Sequence, residues 1–367
     1  MMEAMRLIIA GGGSGGHFFP AQAVMDEIIK RKGGISYMYV GSESGIESRK
    51  WTLPPGNRRL LRVKGFKNKT AGQKLSSAFL LLDSLTESKK IIREFMPDAV
   101  LGVGGYASFP IVMTAILMRI PAAIHEQNSV PGLANKVLAR FVKEIFISFE
   151  TSRKYLPAGK TRLTGLPVRY ALQERKPHAA AVKTILILGG SQGAHQINEM
   201  IVQGLDGLRD IKDRVRFIHQ TGSADQVSVK SAYDRQGFKA EVFDFIDDMA
   251  SVFGRADIAV SRAGASTLFE LAAFGIPSLL IPYPSAASDH QTLNAEEVSL
   301  RGGAVTIPAA TKGPELLVQN IRDLIADEVR MKNMSGAMMK WAKPGAASDI
   351  VDVMMTLTGK VKTCTKE

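Results

Sequence analysis

Short apolar runs alternate with longer amphipathic stretches along most of this chain. In the first half, runs with the length of buried strands cover Met5–Ala10, Ile35–Val40, Ala99–Val103, Ala122–Ile124 and Lys143–Ser148. In the second half, similar runs cover Thr184–Leu188, Arg216–Gln220, Ala240–Phe243, Ile258–Val260 and Ser278–Ile281. The stretches between them are typical of helices, the first running from about Pro20 to Arg31. This alternation predicts the α/β class, with parallel sheets covered by helices on both faces.

The pattern occurs twice, and each series opens with a strand followed by a glycine-rich loop. We therefore predict two Rossmann-like, doubly wound domains, residues 1–165 and 166–343. Gly165, Pro167 and Pro177 interrupt regular structure between them. Pro344-Gly345 breaks the chain again before a last helix, Ala347–Leu357. We expect residues 344–367 to supply this helix, packed back on the first domain, and a polar tail.

Charge is concentrated in the first domain. The net charge is +12, and residues 1–165 carry 24 lysines and arginines against 12 acidic residues. Residues 166–367 carry 23 of each. Twelve basic residues lie in Arg49–Arg93 alone. A local positive field of this kind predicts an anionic partner for the first domain, either nucleic acid or an anionic membrane surface.

The remaining bulk features indicate a cytoplasmic or peripheral protein. The chain has one cysteine, Cys364, so an internal disulfide is impossible, which suits a reducing compartment. Met1–Arg6 leads straight into a strand without the pattern of a signal peptide. Every apolar run is far shorter than the roughly 20 residues of a membrane-spanning helix.

The first glycine-rich loop, Gly11–Gly16, follows the first strand and opens a helix. In that position, backbone N–H groups and a helix N-terminus hold phosphate. A dinucleotide-binding fold would place an acidic residue at the end of the second strand, but here that strand ends in Gly41-Ser42, which argues against NAD. His17 follows the loop directly. A neutral imidazole there is a candidate base for a sugar hydroxyl, although an isolated histidine at a helix start is more often only a local structural residue.

A second loop of similar chemistry, Gly102–Gly105 with Tyr106, follows another apolar strand, and the two loops are suited to share one diphosphate. A tight turn that requires positive φ would also explain the glycines, but it would not explain why a loop of similar chemistry occurs twice. His125-Glu126-Gln127-Asn128 follows the next strand. Four consecutive polar side chains are poor core material, so we expect them to line the ligand-facing edge of the sheet rather than to act as caps.

The second domain repeats these features. Its first strand enters Gly189–Gly193, and Ser261–Thr267 leads into a helix that bears Glu270. Small residues and hydroxyls at a helix start allow close approach to an anion, or form a plain N-cap. Glu270 is suited to bridge two ribose hydroxyls. Further polar groups are expected at the same sheet edge: Asp289, His290, Gln291 and Asn294.

Taken together, these motifs resemble the MurG family of bacterial transferases. The resemblance is carried by Gly11–His17 with Pro20-Ala21, Gly104–Tyr106 with Ser108 and Pro110, His125–Asn128, Gly189–Ala194, Ser261–Thr267 with Glu270, and His290-Gln291 with Asn294. It extends from Arg6 to about Ala347. The sequence departs from the usual motifs at Ser14, where threonine is common, and at Leu166, where asparagine is common. The resemblance implies the GT-B fold, in which two Rossmann-like domains face each other across a cleft.

The resemblance also implies a reaction and its binding residues. GlcNAc would pass from UDP-GlcNAc, with inversion, to the C4 hydroxyl of lipid-linked MurNAc-pentapeptide (lipid I), giving lipid II. The donor contacts would fall on Ser14, Gly15, Gly16, Asn128, Arg169, Ser191, Ile246, Ala265, Ser266, Thr267, Leu268, Phe269, Glu270 and Gln291. The backbone of Ile246 would read the uracil edge, and Arg169 would pair with the diphosphate. The acceptor would meet Gly104, Gly105 and Tyr106.

The catalytic base is expected to be His17, with Glu126 as a weaker candidate. The helix that starts near Ala265, together with Arg169, would stabilise departing UDP. An Asp-x-Asp motif after a strand is absent, since Asp247 and Asp248 are adjacent, so we expect no metal and no other cofactor.

The resemblance favours a membrane over nucleic acid as the anionic partner. Seven basic residues, Arg58, Arg59, Arg62, Lys64, Lys67, Lys69 and Lys74, precede apolar residues at helical spacing, Leu75, Ala78, Phe79, Leu82 and Leu85. An apolar face rimmed by lysine and arginine fits anionic phospholipid, although such a face is more often part of a core. We therefore predict peripheral attachment to the cytoplasmic face of the bacterial inner membrane.

Three other functions remain open at this point. A related GT-B enzyme with another lipid or wall-polymer acceptor is the nearest. A non-catalytic UDP-sugar-binding membrane protein is less consistent with the joint presence of His17, Glu270 and Gln291. A nucleotide-dependent oxidoreductase is the least consistent of the three.

Overall fold

The chain forms two compact units in the computed structural model, which describes residues 4–48, 57–63, 71–169, 182–190, 193–284, 289–308, 310–311 and 313–359, with the backbone alone at 71–81. Unit 1 comprises Met1–Arg169 and Lys343–Glu367, and unit 2 comprises Tyr170–Ala342. Within the described ranges, every helix is too short or too polar to cross a membrane.

Unit 1 is built on a seven-stranded sheet in which every neighbouring pair is parallel. Its strands are β1 (Met5–Ala10), β2 (Ile35–Ser42), β3 (Arg58–Leu61), β4 (Ala99–Gly102), β5 (Ala122–Glu126), β6 (Glu144–Ile147) and β7 (Thr161–Leu163). The strand order is β3-β2-β1-β4-β5-β6-β7. The order reverses between β1 and β4, and ligands of such sheets bind beyond the carboxyl ends of the strands at this point.

Helices cover both faces of this sheet. They are α1 (Gly15–Lys30), α2 (Ala71–Phe95), α3 (Ser108–Leu117) and α4 (Leu133–Leu138), with 3-10 turns at Ile46–Ser48, Glu150–Tyr155 and Ala158–Lys160. Side chains alternate along β1, because successive residues of a strand point to opposite faces. Leu7 and Ile9 enter the cluster that contains α1, whereas Ile8 and Ala10 enter the cluster that contains α3.

Unit 2 has a six-stranded parallel sheet of order β10-β9-β8-β11-β12-β13. Its strands are β8 (Lys183–Leu188), β9 (Val215–Gln220), β10 (Ala240–Phe243), β11 (Ile258–Ser261), β12 (Ser278–Leu280) and β13 (Ala304–Thr306). Its helices are α5 (His195–Gly204), α6 (Gln226–Gln236), α7 (Met249–Arg255), α8 (Ala265–Ala273), α9 (His290–Leu300), α10 (Glu315–Ala326) and α11 (Glu328–Trp341), with a 3-10 segment at Asp206–Arg214. The order reverses between β8 and β11.

The last helix, α12 (Ala346–Leu357), belongs to unit 1. Ile350, Val351 and Met354 are fully buried in the same cluster as Leu7 and Phe18. Arg31, at the end of α1, fixes the helix further, because its guanidinium donates to the Asp352 carboxylate over 2.6 Å and to Ser348. The chain therefore leaves unit 1 before unit 2 and returns to complete its core.

Two parallel sheets with helices between their strands confirm the predicted α/β fold class. Some helices and strands differ from those predicted. Three short strands, β3, β7 and β13, were not expected. α1 begins at Gly15 rather than near Pro20, and Pro20 lies inside it. Proline has no N–H to donate to the carbonyl four residues earlier, but the first turns of α1 form without this one hydrogen bond.

Candidate active site

The first glycine-rich loop of unit 1 is held from within by a buried carboxylate. Gly12 and Gly13 have φ values of 130° and 89°, which only glycine adopts readily. The Gly13 N–H donates to both oxygens of Glu47, at 3.0 Å each, and the Ser42 N–H donates to Glu47 over 2.6 Å. Glu47 is fully buried in the turn after β2. One amide of the loop is thus already bound to an anion, and an incoming anion must use other donors.

Those donors lie at the start of α1. Ser14 is the N-cap residue, extended and exposed, and its hydroxyl does not cap the helix. The N–H groups of Gly15 and Gly16 belong to the first turn, where no carbonyl of the same helix accepts them. Ser14, Gly15 and Gly16, all predicted to bind substrate, therefore lie together at a helix start that is suited to an anion.

The second glycine-rich loop packs directly against the first. A β-carbon on Gly105 would lie 2.1 Å from the Gly12 carbonyl oxygen, so only glycine fits there. Gly104 and Gly105 both have φ near 80°, the left-handed region. Tyr106, which follows them, is 50% exposed. The predicted acceptor residues thus lie beside the first loop, at the point where the strand order reverses.

His17 lies on α1 next to both loops. It is half-buried, and its Nδ1 atom is buried without a hydrogen bond of standard geometry to any described residue. Burial lowers the pKa of His17 from its ordinary value, while the Gln127 side chain and the Val103 carbonyl raise it. Desolvation is the larger effect. His17 is therefore neutral at pH 7, as a general base must be.

The polar run after Ala122–Ile124 is buried, contrary to the expectation that it would be poor core material. His125, Glu126 and Gln127 are at most 2% exposed, and His125 and Glu126 belong to β5. Burial raises the pKa of Glu126, and hydrogen bonds from the surrounding loop lower it. Its carboxylate accepts the Asn128 N–H over 3.0 Å, the Gly132 N–H over 3.1 Å and the Asn135 side-chain amide over 2.8 Å. Hydrogen bonding within the fold, rather than exposure, explains these polar residues.

Arg169 lies at the end of unit 1. Its guanidinium stacks on the Phe19 ring of α1 at 3.6 Å from the centroid, and it lowers the pKa of Asp26, which burial raises. The stacking places a cation at the N-terminal part of α1.

In unit 2, the loops after β8 and β11 border a cavity of about 520 Å³. Its walls include Gly189, Gly190 and Gly193, the first residues of α5, Gly264 and Thr267 at the start of α8, and Gln291 of α9. Gln291 accepts the Tyr283 N–H through its side-chain oxygen over 2.9 Å. Ser191 lies outside the described residues. A cavity at the reversal of strand order, beside a helix N-terminus, is suited to a nucleotide diphosphate.

Sequence reasoning missed Arg262, a cation in the wall of this cavity. Its guanidinium donates to the carbonyls of Ile281 and Pro282 and to the Gln196 side chain, over 3.1–3.2 Å. Burial lowers its pKa from the ordinary value, but arginine stays charged at neutral pH. The signal was present in the sequence, because a charged residue directly after a buried strand must have partners or a ligand.

The residues predicted along α8 divide between the cavity and the core. Thr267 borders the cavity. Leu268 and Phe269 are buried in unit 2, and the Phe269 ring packs on the Trp341 ring with 4.3 Å between the ring centroids. Ala265 and Glu270 are also buried, and the Ser266 hydroxyl oxygen is buried without a hydrogen bond to a described residue. The side chains of Leu268 and Phe269 thus stabilise the helix rather than face the cavity.

Ile246 lies outside the cavity wall. Its N–H, expected to read the uracil edge, donates instead to the Gln220 side-chain oxygen over 3.0 Å. Gln220 in turn donates to the Gly190 carbonyl over 2.8 Å. This pair of hydrogen bonds links the Ile246 segment to the glycine-rich loop Gly189–Gly193.

Among the described residues, no three histidine, cysteine, aspartate or glutamate side chains are grouped as a metal site requires.

Comparison with known proteins matches both units to one family of glycosyltransferases. The chain matches the glycosyltransferase family 28 N-terminal domain over residues 7–147 and the glycosyltransferase family 28 C-terminal domain over residues 184–350. A UDP-N-acetylglucosamine–N-acetylmuramyl-(pentapeptide) pyrophosphoryl-undecaprenol N-acetylglucosamine transferase of Geobacter metallireducens is 44% identical over 366 residues, 98% of this chain and all of the relative. The protein of the same name from Myxococcus xanthus is 42% identical over 96% of this chain and 93% of its own.

Solved structures agree with these relatives. The crystal structure of Acinetobacter baumannii MurG has a TM-score of 0.78 at 28% identity and covers 96% of this chain and 99% of its own. UDP-GlcNAc 2-epimerase from Neisseria meningitidis, bound to UDP-GlcNAc, has a TM-score of 0.68 at 13% identity, covering 96% and 100%, which shows a shared fold alone. The motifs, the two matched domains and the 44% identity to a relative over nearly the whole chain together confirm the predicted resemblance. The chain belongs to glycosyltransferase family 28 and, within it, to the MurG family.

Proposed function

We propose that this protein transfers GlcNAc from UDP-GlcNAc to the C4 hydroxyl of lipid I, forming lipid II for peptidoglycan synthesis. The observation that carries the proposal is the 44% identity, over 98% of the chain, to a relative whose name states this transfer. The functional division follows the domains predicted from sequence: residues 166–343 hold the donor, residues 1–165 hold the acceptor, and residues 344–367 complete the acceptor domain.

The unit 2 cavity is our proposed site for UDP. The N-terminus of α8, from Gly264 to Thr267, directs N–H groups and the positive end of the helix dipole toward the diphosphate. Arg262 adds a positive charge in the cavity wall. Glu270 and Gln291 bind the ribose and the sugar, and Ser191 and the backbone carbonyl of Ile246 complete the donor site. These groups stabilise the charge that develops on departing UDP without a metal or other cofactor.

The family resemblance implies that Gly15 and Gly16 are donor contacts. In unit 1, we assign their N–H groups instead to the acceptor diphosphate, together with the Gly104–Tyr106 loop. His17 takes the proton of the attacking hydroxyl, because its lowered pKa keeps the ring neutral at pH 7. The oxygens of Glu126 accept two N–H groups of the loop that follows β5 and the side-chain amide of Asn135 on α4, so we assign it the role of holding Asn128 in place rather than that of base. For Arg169, at the end of the unit, we keep the predicted role of pairing with the diphosphate of UDP.

The membrane assignment is supported by exposed apolar side chains in unit 1. Lys64, Lys67 and Lys69 lie outside the described residues, and the side chains of Lys74, Leu75, Ala78 and Phe79 are likewise not described. Leu82 is 61% exposed. On and just after α4, Leu133, Val137 and Phe141 are 80%, 38% and 56% exposed at a spacing of four, with Lys136 and Arg140 between them. This basic, apolar face fits an anionic bilayer at the cytoplasmic side of the inner membrane.

The deciding experiment is incubation of the purified protein with UDP-GlcNAc and a soluble lipid I analogue, with UDP and the disaccharide product measured together. We expect both to appear in equal amounts, and turnover in excess EDTA to stay within about twofold of the untreated rate, since charge stabilisation comes from protein groups. UDP release without disaccharide, or faster transfer to another polyprenyl-linked sugar, would instead favour the related enzyme with a different acceptor.

A further inference from the structure

A buried chain of hydrogen bonds runs through unit 1 toward His17. It begins at the Gly165 carbonyl oxygen, which lies 3.0 Å from Nε2 of His125. A carbonyl accepts but never donates, so Nε2 of His125 carries the hydrogen. Burial lowers the pKa of His125 to about 4, so the ring is neutral at pH 7 and its Nδ1 is an acceptor. The Gly165 carbonyl thereby fixes the tautomer of His125.

His125 in turn fixes the orientation of the Gln127 side-chain amide. Nε2 of Gln127 lies 3.2 Å from Nδ1 of His125 and donates to the Val103 carbonyl over 2.7 Å. Both neighbours are acceptors, so the NH₂ group must face them and the amide cannot be flipped. The oxygen, Oε1, therefore points away from His125 and Val103. Gln127 is 2% exposed, and Oε1 is buried without a hydrogen bond to a described residue.

The atom that matches this oxygen is Nδ1 of His17. A β-carbon built on Gly104 would lie 2.7 Å from Nδ1 of His17 and 3.2 Å from Oε1 of Gln127, so both atoms border the same point. Each is buried, and each lacks a hydrogen bond of standard geometry to a described residue. One is a pure acceptor with a fixed direction, and the other is a ring nitrogen that can carry a hydrogen. Leaving both unsatisfied would destabilise the fold, because buried polar atoms are normally hydrogen-bonded.

We propose that Gln127 is a positioning residue: its oxygen, oriented by His125, holds His17 as the Nδ1–H tautomer and leaves the lone pair of Nε2 for the acceptor hydroxyl. The inference rests on the proposed role of His17 as base. It adds a second residue that makes the base competent, in the way that other catalytic histidines are oriented by an acceptor on the ring nitrogen away from the substrate. It also gives the neutral amide a reason: a carboxylate at position 127 would repel the Val103 carbonyl.

The direct test is the tautomer of His17, measured without substrate by ¹⁵N NMR on protein labelled in its histidines. The signals of the six histidines are assigned by loss of one pair in His17→Asn. We expect the wild-type protein at pH 7.5 to show a protonated Nδ1 and a bare Nε2 at His17. Gln127→Met keeps the side-chain length without the acceptor, and it should shift His17 to a mixture of tautomers or to Nε2–H. A wild-type Nε2–H tautomer, or an unchanged signal in Gln127→Met, would overturn the proposal.

Kinetics give an independent test. Gln127→Met should lower kcat by about 10- to 100-fold with KM for UDP-GlcNAc within about twofold, since general base catalysis contributes roughly 10²–10⁴-fold. Removal of the acceptor lowers the pKa of His17, so the acidic limb of the kcat profile should move to lower pH. In a His17→Ala background the same substitution should have little further effect, because Gln127 acts only through His17.

Thr114→Val is the control. It removes a buried hydroxyl on α3 of unit 1, outside the chain of hydrogen bonds that leads to His17, and it should leave the tautomer of His17 and the position of the acidic limb unchanged. Equal losses from Gln127→Met in both backgrounds would show a merely structural role and defeat the inference. Near-normal turnover of His17→Ala would instead defeat the proposed base, while the NMR result would still decide whether Gln127 orients the ring.

Discussion

At the residue scale, the buried carboxylates of unit 1 bind its own backbone. Glu47 accepts N–H groups of Gly13 and Ser42, and Glu126 accepts N–H groups on the loop after β5. From sequence, an acid near a glycine-rich loop is a candidate catalyst. In the fold, both acids satisfy backbone donors that tight turns leave without partners.

The anchor at Glu47 can be tested by Glu47→Gln. An amide offers one acceptor oxygen where the carboxylate offers two, and its NH₂ group faces other donors, so a buried N–H loses its partner. We expect the free energy of unfolding to fall by about 1–3 kcal/mol, measured by urea titration. Glu43→Gln, at a half-exposed position whose ion pair with Arg62 is at the surface, should change it by less than about 0.5 kcal/mol. Equal effects of the two variants would exclude the anchoring role.

Arg262 is a second residue whose role can be separated from that of its neighbours. Arg262→Met keeps much of the length and the apolar contact but removes the charge and the three hydrogen bonds to Ile281, Pro282 and Gln196. We expect the Kd for UDP, measured by calorimetry, to rise about 10-fold or more, since hydrogen bonds to charged groups contribute roughly 1.5–3 kcal/mol. Arg209→Met, at a surface arginine of the same unit, should leave Kd unchanged. An unaltered Kd in Arg262→Met would remove this arginine from the donor site.

At the element scale, the long buried strands and their loops could be predicted from sequence. An apolar run indicates a buried strand, and the glycines that end it indicate a turn. β3 and β7 could not, since Arg58–Leu61 and Thr161–Leu163 are too short and too polar to show a period. They form because a neighbouring strand already offers its edge. The polar run from His125 to Gln127 was expected to line a ligand-facing edge, but it is buried. Its burial depends on hydrogen-bond partners distant in sequence, such as Gly165, that no local pattern reveals.

In unit 2, one imidazole links three elements. His219 of β9 lies 3.0 Å from the Asn198 side-chain oxygen of α5 and 3.1 Å from the Tyr233 hydroxyl of α6. Asn198 accepts at that oxygen, so Nε2 of His219 carries the hydrogen and Nδ1 accepts from Tyr233. Burial lowers the pKa of His219 to about 3. The network thus requires a neutral ring.

This requirement predicts a pH dependence of stability. Unfolding raises the pKa of His219 from about 3 to its ordinary value near 6.5, so the unfolded chain binds one more proton between these values. The native state is therefore favoured fully above pH 6.5 and loses up to about 1.4 kcal/mol per pH unit below it. Trp341 fluorescence in a Trp51→Phe background reports unfolding of unit 2, and His219→Gln should flatten this slope between pH 4 and 6. The same slope in both proteins would contradict the assignment.

At the scale of the whole molecule, positive charge and chemistry are divided between the units. The +12 net charge comes entirely from the first 165 residues, whereas the proposed nucleotide site lies in the neutral part. A negative donor and a negative bilayer would compete for a uniformly basic protein. This separation would let a surface field act on the proposed acceptor unit while a local cavity binds the donor.

The field predicts salt-sensitive membrane binding. In cosedimentation with vesicles, we expect binding to anionic phosphatidylglycerol vesicles at low salt, little binding to neutral phosphatidylcholine, and loss of most binding at 0.5 M salt, where charges are screened within a few ångströms. Phe141→Ser should weaken binding further, because its exposed ring no longer enters the interface. Equal binding to both vesicle types would argue against electrostatic attachment.

The return of α12 to unit 1 also bears on how the chain folds during synthesis. All of unit 2 is made before Ile350, Val351 and Met354, which fill one face of the core of unit 1. Although domains usually fold in the order in which they leave the ribosome, unit 1, the first to emerge, is the last to be completed. Until then the apolar surface that α12 covers stays open to solvent or to chaperones, so unit 2 is complete before the chain has finished the unit proposed to face the membrane.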